Sequence, residues 1–240
     1  MEKLQQRIFS KSGLSLAYRL PKVKTEILHG EYGPEIVNRF FDTITLQKGI
    51  EKILLEIPAA FIQILFGIIL LSLYHPVFIA FGIVLVVLLY IILATTLPKG
   101  FTKNLLASDY KYKTAAWLQE LARVVKTFKY AKKTSLHIDK TDDLVSNYLI
   151  ARTSYFKILL TQFWSLVAFK IIITAAMLIV GVYLLLNQQI NIGQFVAAEI
   201  VILLVLTSVE KLILSIEVVY DVLTAVEKIG QVMDLELEDY

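Results

Sequence analysis

Two long apolar runs separated by a dipeptide constrain this chain more than any other feature. Ile57–Tyr74 and Val77–Leu97 contain no charged side chain, and only His75 and Pro76 lie between them. About 20 apolar residues are enough to cross the roughly 30 Å hydrocarbon core of a bilayer as a helix. The sequence therefore predicts two membrane helices joined by a tight turn.

Two further apolar runs follow later in the chain. Ile158–Leu186 carries one charge, Lys170, and Ile190–Tyr220 carries four, with NQQINIG at their junction. Hydrophobic residues make up 57% of the 240 residues, and the mean hydropathy is +0.66. A soluble fold of this size cannot bury so much apolar surface. We therefore expect an all-α membrane protein with four crossings.

The distribution of Lys and Arg predicts the orientation, because these residues are enriched on the cytoplasmic flanks of membrane helices. Residues 1–52 contain nine of them, residues 99–163 contain twelve, and the two short turns contain none. Both turns are therefore expected to face outward, and both termini are expected to be cytoplasmic. The predicted location is the plasma membrane, which in bacteria is the inner membrane, with a multi-pass topology.

The polar segments are predicted to be long helical excursions into the cytosol. Neither Gly nor Pro occurs in Phe101–Val180, and apolar residues recur at helical spacing from Trp117 to Phe128. Folded as a hairpin with its bend in Lys133–Asp143, residues 98–163 would reach on the order of 50 Å into the cytosol. Residues 1–52 are expected to form a second excursion that turns at HGEYGP.

Three segments carry a resemblance to a known family. The first is HGEYGPEIVNRFFDTITLQKG, with the motif residues Gly30, Glu31, Arg39 and Asp42. The second is WLQELARVVKTFKYA, with the motif residues Glu120, Val125, Lys126 and Phe128. The third combines NIGQFVAAEIVILLV with VLTAVEKIGQVMDLELE. Their order around four crossings resembles the transmembrane domain of an ABC exporter, and RLPKV, GPEIVNRFFDT and LYHP resemble bacterial peptide and bacteriocin exporters.

The resemblance implies the type I exporter fold, in which long transmembrane helices extend into the cytosol and end in intracellular coupling loops. It covers residues 1–240 as the last four of six membrane helices, without an ATP-binding domain. The implied parts are a first intracellular loop (1–52), two membrane helices (53–97), a second intracellular loop (98–163), two membrane helices (164–220) and a linker toward an ATP-binding domain (221–240). We expect either a fragment of a longer gene product or one of several separate chains.

The resemblance also implies a mechanism, alternating access, in which ATP binding draws two partner domains together and the coupling loops move the membrane helices. The implied partners are an ATP-binding domain, a second transmembrane half in a homodimer or heterodimer, and membrane lipid, but no nucleic acid. The sequence contains no G-x-x-x-x-G-K-[ST] loop. We therefore expect no enzymatic activity and no cofactor in this chain, with Mg-ATP on the partner domain.

Two groups of residues are candidates for function. The residues expected to couple to the ATP-binding domain are Glu31, Tyr32, Pro34, Glu35, Arg123, Val124, Lys126, Thr127 and Phe128. Ionisable groups in hydrocarbon are costly and often functional, so the candidates for lining a translocation cavity are Lys170, Glu199, Glu210 and Glu217. Lys170 would either snorkel to the cytosolic interface or face the cavity. Glu210 and Glu217 are expected to share a face that favours cationic substrates.

Two other classes of function stay open. The first is a non-transporting four-helix membrane scaffold with a helical cytosolic stalk, which would bind partners without any ATP-dependent change. The second is a membrane-embedded enzyme, which would need clustered His, Asp or Glu near a bilayer face. The one concentration of such residues is HIDKTDD, with His137, Asp139, Asp142 and Asp143. Because the chain has no Cys and three scattered His, we expect no metal site.

Overall fold

The structure, a computed structural model, describes residues 1–24, 33–131 and 134–238, with the side chain of Pro34 excluded. Its α-helices are α1 (Glu2–Arg19), α2 (Gly33–Asn38), α3 (Asp42–Tyr74), α4 (Val77–Arg123), α5 (Val125–Ala131), α6 (Leu136–Leu186), α7 (Ile192–Leu214) and α8 (Ile216–Met233). Short 3-10 segments, Leu20–Lys22 and Arg39–Phe41, follow α1 and α2. Within the described ranges the β-structure is limited to one isolated antiparallel bridge, between Val23 and Leu237.

Four helical stretches are long and apolar enough to cross a membrane. They are Glu35–Tyr74, Val77–Arg123, Leu136–Leu186 and Ile192–Met233. In the apolar part of each stretch, only 17% to 33% of the residues are buried by the rest of the protein. Apolar surface left uncovered on this scale is typical of lipid-facing helices. The predicted all-α class with four membrane-length helices is confirmed, and it indicates a membrane protein.

The turn after α6 is stabilised by a backbone motif that ends the helix. Gln188 adopts a positive φ of 58°, which is uncommon for a residue other than Gly. Its N–H donates to the Leu185 carbonyl at 3.0 Å, and the Gln189 N–H donates to the Leu184 carbonyl at 2.9 Å. These two bonds form a Schellman motif, which satisfies carbonyls that a helix end would otherwise leave unpaired.

The start of α7 is set by a capping box. Asn191 Oδ1 accepts a hydrogen bond from the Gln194 N–H at 2.8 Å, and Gln194 Oε1 accepts one from the Asn191 N–H at 2.9 Å. Two N–H groups of the first turn are thereby paired. The helix therefore begins at Ile192, two residues after the predicted start of the fourth apolar run.

The helix that contains the second apolar run, α4, ends at Arg123, and the helical chain is interrupted at Val124. Pro98 and Gly100 are both accommodated inside α4, which runs to Arg123. The Val124 N–H still donates to the Glu120 carbonyl at 3.0 Å, and α5 begins at the next residue. The interruption is therefore a local irregularity between α4 and α5.

The predicted bend at Lys133–Asp143 is wrong for most of its length, because α6 already begins at Leu136. Ser135, a residue type favoured immediately before a helix, stands at this boundary. Its carbonyl accepts a hydrogen bond from the Ile138 N–H at 2.8 Å, and its Oγ donates to Asp139 Oδ2 at 2.6 Å. Residues 132 and 133 lie outside the described ranges.

The chain divides into two compact units. The first unit consists of Met1–Glu51, Gly100–Phe156 and Val219–Tyr240. Its core includes the fully buried rings of Tyr155 and Tyr220, which meet edge to face with centroids 6.0 Å apart. Gly100 lies directly against the Tyr220 ring, where any side chain would overlap the ring. Glycine at this position therefore permits the close packing of α4 against α8.

The second unit consists of Lys52–Lys99 and Lys157–Val218. Its core is aliphatic and aromatic, with fully buried Leu71, Phe78, Leu85, Leu166, Ile173, Met177, Leu184, Ile202 and Leu206. Polar side chains also join its helices. Gln162 donates to Thr96 Oγ1 at 2.9 Å, and Ser208 donates to Gln63 Oε1 at 2.8 Å. Bonds of this kind between helices are a recurrent source of packing specificity in membranes.

Candidate functional site

The candidate coupling residues of the second loop surround the interruption at Val124. Arg123, Lys126 and Thr127 are exposed, whereas Val124 and Phe128 are half-buried. The Phe128 ring meets the His137 ring edge to face, with centroids 5.5 Å apart. Phe128 therefore holds α5 against α6, while the polar side chains of α5 are presented to solvent.

The candidate coupling residues of the first loop are only partly within the described ranges. Glu31 and Tyr32 lie outside them, as does the side chain of Pro34. Glu35 is half-buried, and its Oε1 lies 3.5 Å from the guanidinium of Arg39, one helical turn later. Arg39 is itself buried, so Glu35 and Arg39 form an ion pair that is mostly shielded from water.

One groove in the first unit brings residues of the two predicted loops together. We call it the Trp117 groove; it has a volume of about 470 Å³ and is lined by Glu35, Lys113, Ala116, Trp117, Glu120, Arg123, Lys140 and Leu144. Trp117 Nε1 donates to Thr141 Oγ1 at 2.9 Å, and the Lys140 ammonium lies 4.2 Å from the centre of the indole ring. These contacts fix the ring between α4 and α6.

Arg123 at one end of the Trp117 groove is oriented by a neighbour on its own helix. Its Nε and a terminal nitrogen donate to the two carboxylate oxygens of Glu120 at 3.0 and 2.8 Å. The three-residue spacing of Glu120 and Arg123 is a pattern that predicts such a pair from sequence. No such local pattern predicts that Glu35 and Arg123 line the same groove, because almost ninety positions separate them.

The charges in the predicted membrane segments are partly paired in the second unit. Lys170 Nζ donates to Glu210 Oε2 at 2.8 Å, which joins α6 to α7. Neither sequence interpretation of Lys170, snorkelling or cavity lining, included this partner. Opposite charges in two different crossings are the signal that would have suggested it, because an unpaired charge in hydrocarbon is costly.

This ion pair changes the prediction that Glu210 and Glu217 form an acidic face. The positive charge of Lys170 balances Glu210, whereas Glu217 on α8 is exposed. Between them Ser215 keeps right-handed helical dihedrals, with φ −72° and ψ −12°, and its Oγ donates to Glu56 Oε2 at 3.0 Å. Glu210 therefore no longer supports a preference for cationic substrates, and that prediction rests on Glu217 alone. Glu199 is half-buried on α7.

A second concavity in the first unit escaped the sequence analysis. We call it the polar cavity; it has a volume of about 230 Å³ and is lined by Asp42, Thr45, Asn104, Ala107, Ser108, Lys111, Tyr148, Arg152, Asp221, Thr224 and Ala225. Asn104 Nδ2 donates to Asp221 Oδ1 at 3.0 Å and to Thr224 Oγ1 at 3.1 Å. Its residues come from four helices, so no single stretch of sequence reveals them.

The acidic cluster considered for a membrane-embedded enzyme is distributed along the first turns of α6. His137 packs against Phe128, and Asp139 accepts a hydrogen bond from Ser135. Asp142 and Asp143 are exposed. No group of three or more His, Asp or Glu side chains is arranged to hold a metal ion in the described part of the chain.

No protein-family model matches the chain, and no curated protein sequence matches it.

Proposed function

We propose that this chain is the membrane-spanning subunit, or a fragment of one, of an ATP-driven exporter, where it forms the translocation path and couples it to ATP-binding domains. The observation that carries the proposal is the length of α4 and α6, which contain 47 and 51 residues. At about 1.5 Å per residue they are about 70 Å long or more, over twice the hydrocarbon thickness. Helices of this length are long enough to continue outside the bilayer.

The polar halves of these helices support a coupling role. They lead to the exposed side chains of Arg123, Lys126 and Thr127, which suit a contact with a partner protein. Charges at the rim of a protein interface steer association and set its register. The proposal places this surface and both termini in the cytosol of a plasma membrane, where Mg-ATP would bind the partner domain.

The ion pair between Lys170 and Glu210 supports the transport part of the proposal. Alternating access requires elements with two discrete arrangements. An intramembrane ion pair between two helices is one such element, because its contact either forms or is lost as the helices move. We therefore expect α6, α7 and the turn that joins them to move when ATP binds the partner.

The decisive experiment joins biochemical capture with a distance measurement. The full-length affinity-tagged chain is purified from its native membrane in mild detergent, and photoaffinity ATP labels any copurifying protein. The chain has no Cys, so Gln189→Cys provides a unique site for a spin label. In a complex with two copies of the chain, we expect an ATP-binding partner and a change in the label-to-label distance when ATP and vanadate are added.

Two matched charge reversals test the proposed coupling surface, formed by Arg123, Lys126 and Thr127, in the same preparation. Lys126→Glu is expected to lower recovery of the partner and its ATPase rate by about tenfold, the scale of one well-placed interface residue. Lys3→Glu, the same change at an exposed lysine of α1, should leave both unchanged. Absence of any ATP-binding partner, with no ATP-dependent distance change, would refute the proposal and favour the scaffold.

A further inference from the structure

The polar cavity contains buried polar atoms that the protein does not satisfy. Asp42 is 5% exposed and Ser108 is 8% exposed. Asp42 Oδ1 lies 3.4 Å from Lys111 Nζ. Asp42 Oδ2 and Ser108 Oγ have no hydrogen-bond partner of acceptable geometry among the described residues, although the Tyr112 hydroxyl is near the carboxylate. Because unsatisfied buried groups are costly, these two atoms are suited to bind a polar molecule that enters the cavity.

The size of the cavity limits what that molecule can be. Its volume of about 230 Å³ far exceeds the roughly 10–15 Å³ that one water requires. It is below the lower end, about 300 Å³, of the range for drug-sized ligands. The cavity therefore suits a molecule of a few heavy atoms up to the size of an amino acid.

The charges of the cavity select the chemical class. Asp42 and Asp221 are two carboxylates that would repel a simple anion, whereas Lys111 and Arg152 are two cations that would repel a metal ion. Asn104 donates to Asp221 and holds that carboxylate in place. A molecule that carries both an ammonium and a carboxylate matches both sets.

We propose that the polar cavity binds a small zwitterion of the α-amino-acid class. The ammonium donates to Asp42 Oδ2, and Ser108 Oγ completes its coordination. The carboxylate of the ligand accepts from the guanidinium of Arg152, whose planar fork suits carboxylates. The site lies entirely within the first unit, and the proposal does not depend on the transport function.

The test measures equilibrium binding to the full chain in lipid nanodiscs. Each standard amino acid is supplied singly in radiolabelled form, and acetate and methylamine serve as probes that carry one charge each. We expect saturable binding of at least one amino acid at one molecule per chain, with no saturable binding of acetate or methylamine. Asp42→Asn is expected to weaken binding at least tenfold, because it replaces a charge-assisted hydrogen bond.

Two further variants keep the test decisive if Asp42→Asn folds poorly. Arg152 is exposed on α6, so Arg152→Gln should preserve the fold while weakening binding by a similar factor. Asp142→Asn removes an exposed carboxylate of the same helix outside the cavity and should change nothing. One contrary result is that no amino acid binds saturably. That result would overturn the proposal, as would binding that is equally strong in Arg152→Gln and Asp142→Asn.

Discussion

At the scale of single residues, the ion pair of Lys170 and Glu210 is the contact with the clearest energetic consequence. Glu210→Gln leaves the lysine without its charged partner, and we expect it to lower the free energy of unfolding by roughly 1–2 kcal/mol, the upper range for polar contacts between membrane helices. Denaturant titration in bicelles, followed by circular dichroism, measures the change.

Two further variants separate the ion pair from a general charge effect. Glu217→Gln removes an exposed carboxylate seven residues away and should have almost no effect. The exchanged pair, Lys170→Glu with Glu210→Lys, should recover most of the lost stability. Equal effects of Glu210→Gln and Glu217→Gln would contradict a specific contribution from Lys170.

Gln188 is a residue whose backbone conformation favours replacement by glycine. Its φ of 58° lies in the left-handed region, which costs a residue with a Cβ about 1–2 kcal/mol. Since glycine also loses more chain entropy on folding, we expect Gln188→Gly to stabilise the protein by roughly 0.5–1 kcal/mol. Gln189→Gly, at a position without positive φ, should be neutral or destabilising in the same unfolding experiment.

At the scale of elements, the packing of α3 against α7 depends on a glycine. A Cβ at Gly67 would overlap a methyl group of Val205. We expect Gly67→Ala to destabilise the chain by about 1–3 kcal/mol, the usual cost of overpacking. Combining it with Val205→Ala should relieve the overlap, so the two changes should be less destabilising together than the sum of their separate effects.

Gly13→Ala is the matched control for this packing effect. Its Cβ would meet the Phe40 ring at 3.5 Å, an ordinary contact, and Gly13 lies inside α1. The higher helix propensity of Ala should therefore stabilise the chain by up to about 1 kcal/mol. Stabilisation by Gly67→Ala as well would show that α3 and α7 do not pack as closely as described.

At the scale of the whole molecule, segments more than two hundred positions apart are joined in the first unit. The Glu238 N–H donates to the Lys22 carbonyl at 2.7 Å, and the Lys24 N–H donates to the Glu236 carbonyl at 3.2 Å. Lys24 Nζ also donates to Glu236 Oε2 at 2.6 Å. This hydrogen bond, with the positive charge of Lys24, lowers the pKa of Glu236.

The lowered pKa predicts how this contact depends on pH. A carboxyl whose pKa is lower in the folded state contributes stability above its unfolded pKa, about 4.3 for Glu. That contribution is lost as the pH falls through the lowered folded-state value. Glu236→Gln should therefore be slightly less stable than the wild type near neutral pH, and the difference should vanish in acid. Asp234→Asn serves as the control. If Glu236→Gln lowered the stability by the same amount at every pH, the predicted contribution of the ionised Glu236 carboxylate would be contradicted.

Sequence patterns were sufficient for the four membrane-length helices and for the two short turns between them. Uncharged runs such as Val77–Leu97 are local features, and hydrocarbon imposes a minimum length on any helix that crosses it. The predicted bend extends too far because residues 136–143 are mostly polar and resemble a turn, although they belong to α6. Polar residues also occur in helices, so polarity alone does not locate a helix boundary.

The sequence by itself determined the helical class and the membrane-length segments, because hydrophobic length and periodicity are properties of consecutive residues. Only the tertiary structure decided which charges pair and which side chains share a cavity. Lys170 and Glu210 are hydrogen-bonded although they are 40 positions apart in the sequence, and Asn104 and Asp221 are 117 positions apart. Such contacts depend on how helices pack in three dimensions, and a single sequence carries no periodic signal for pairs so far apart.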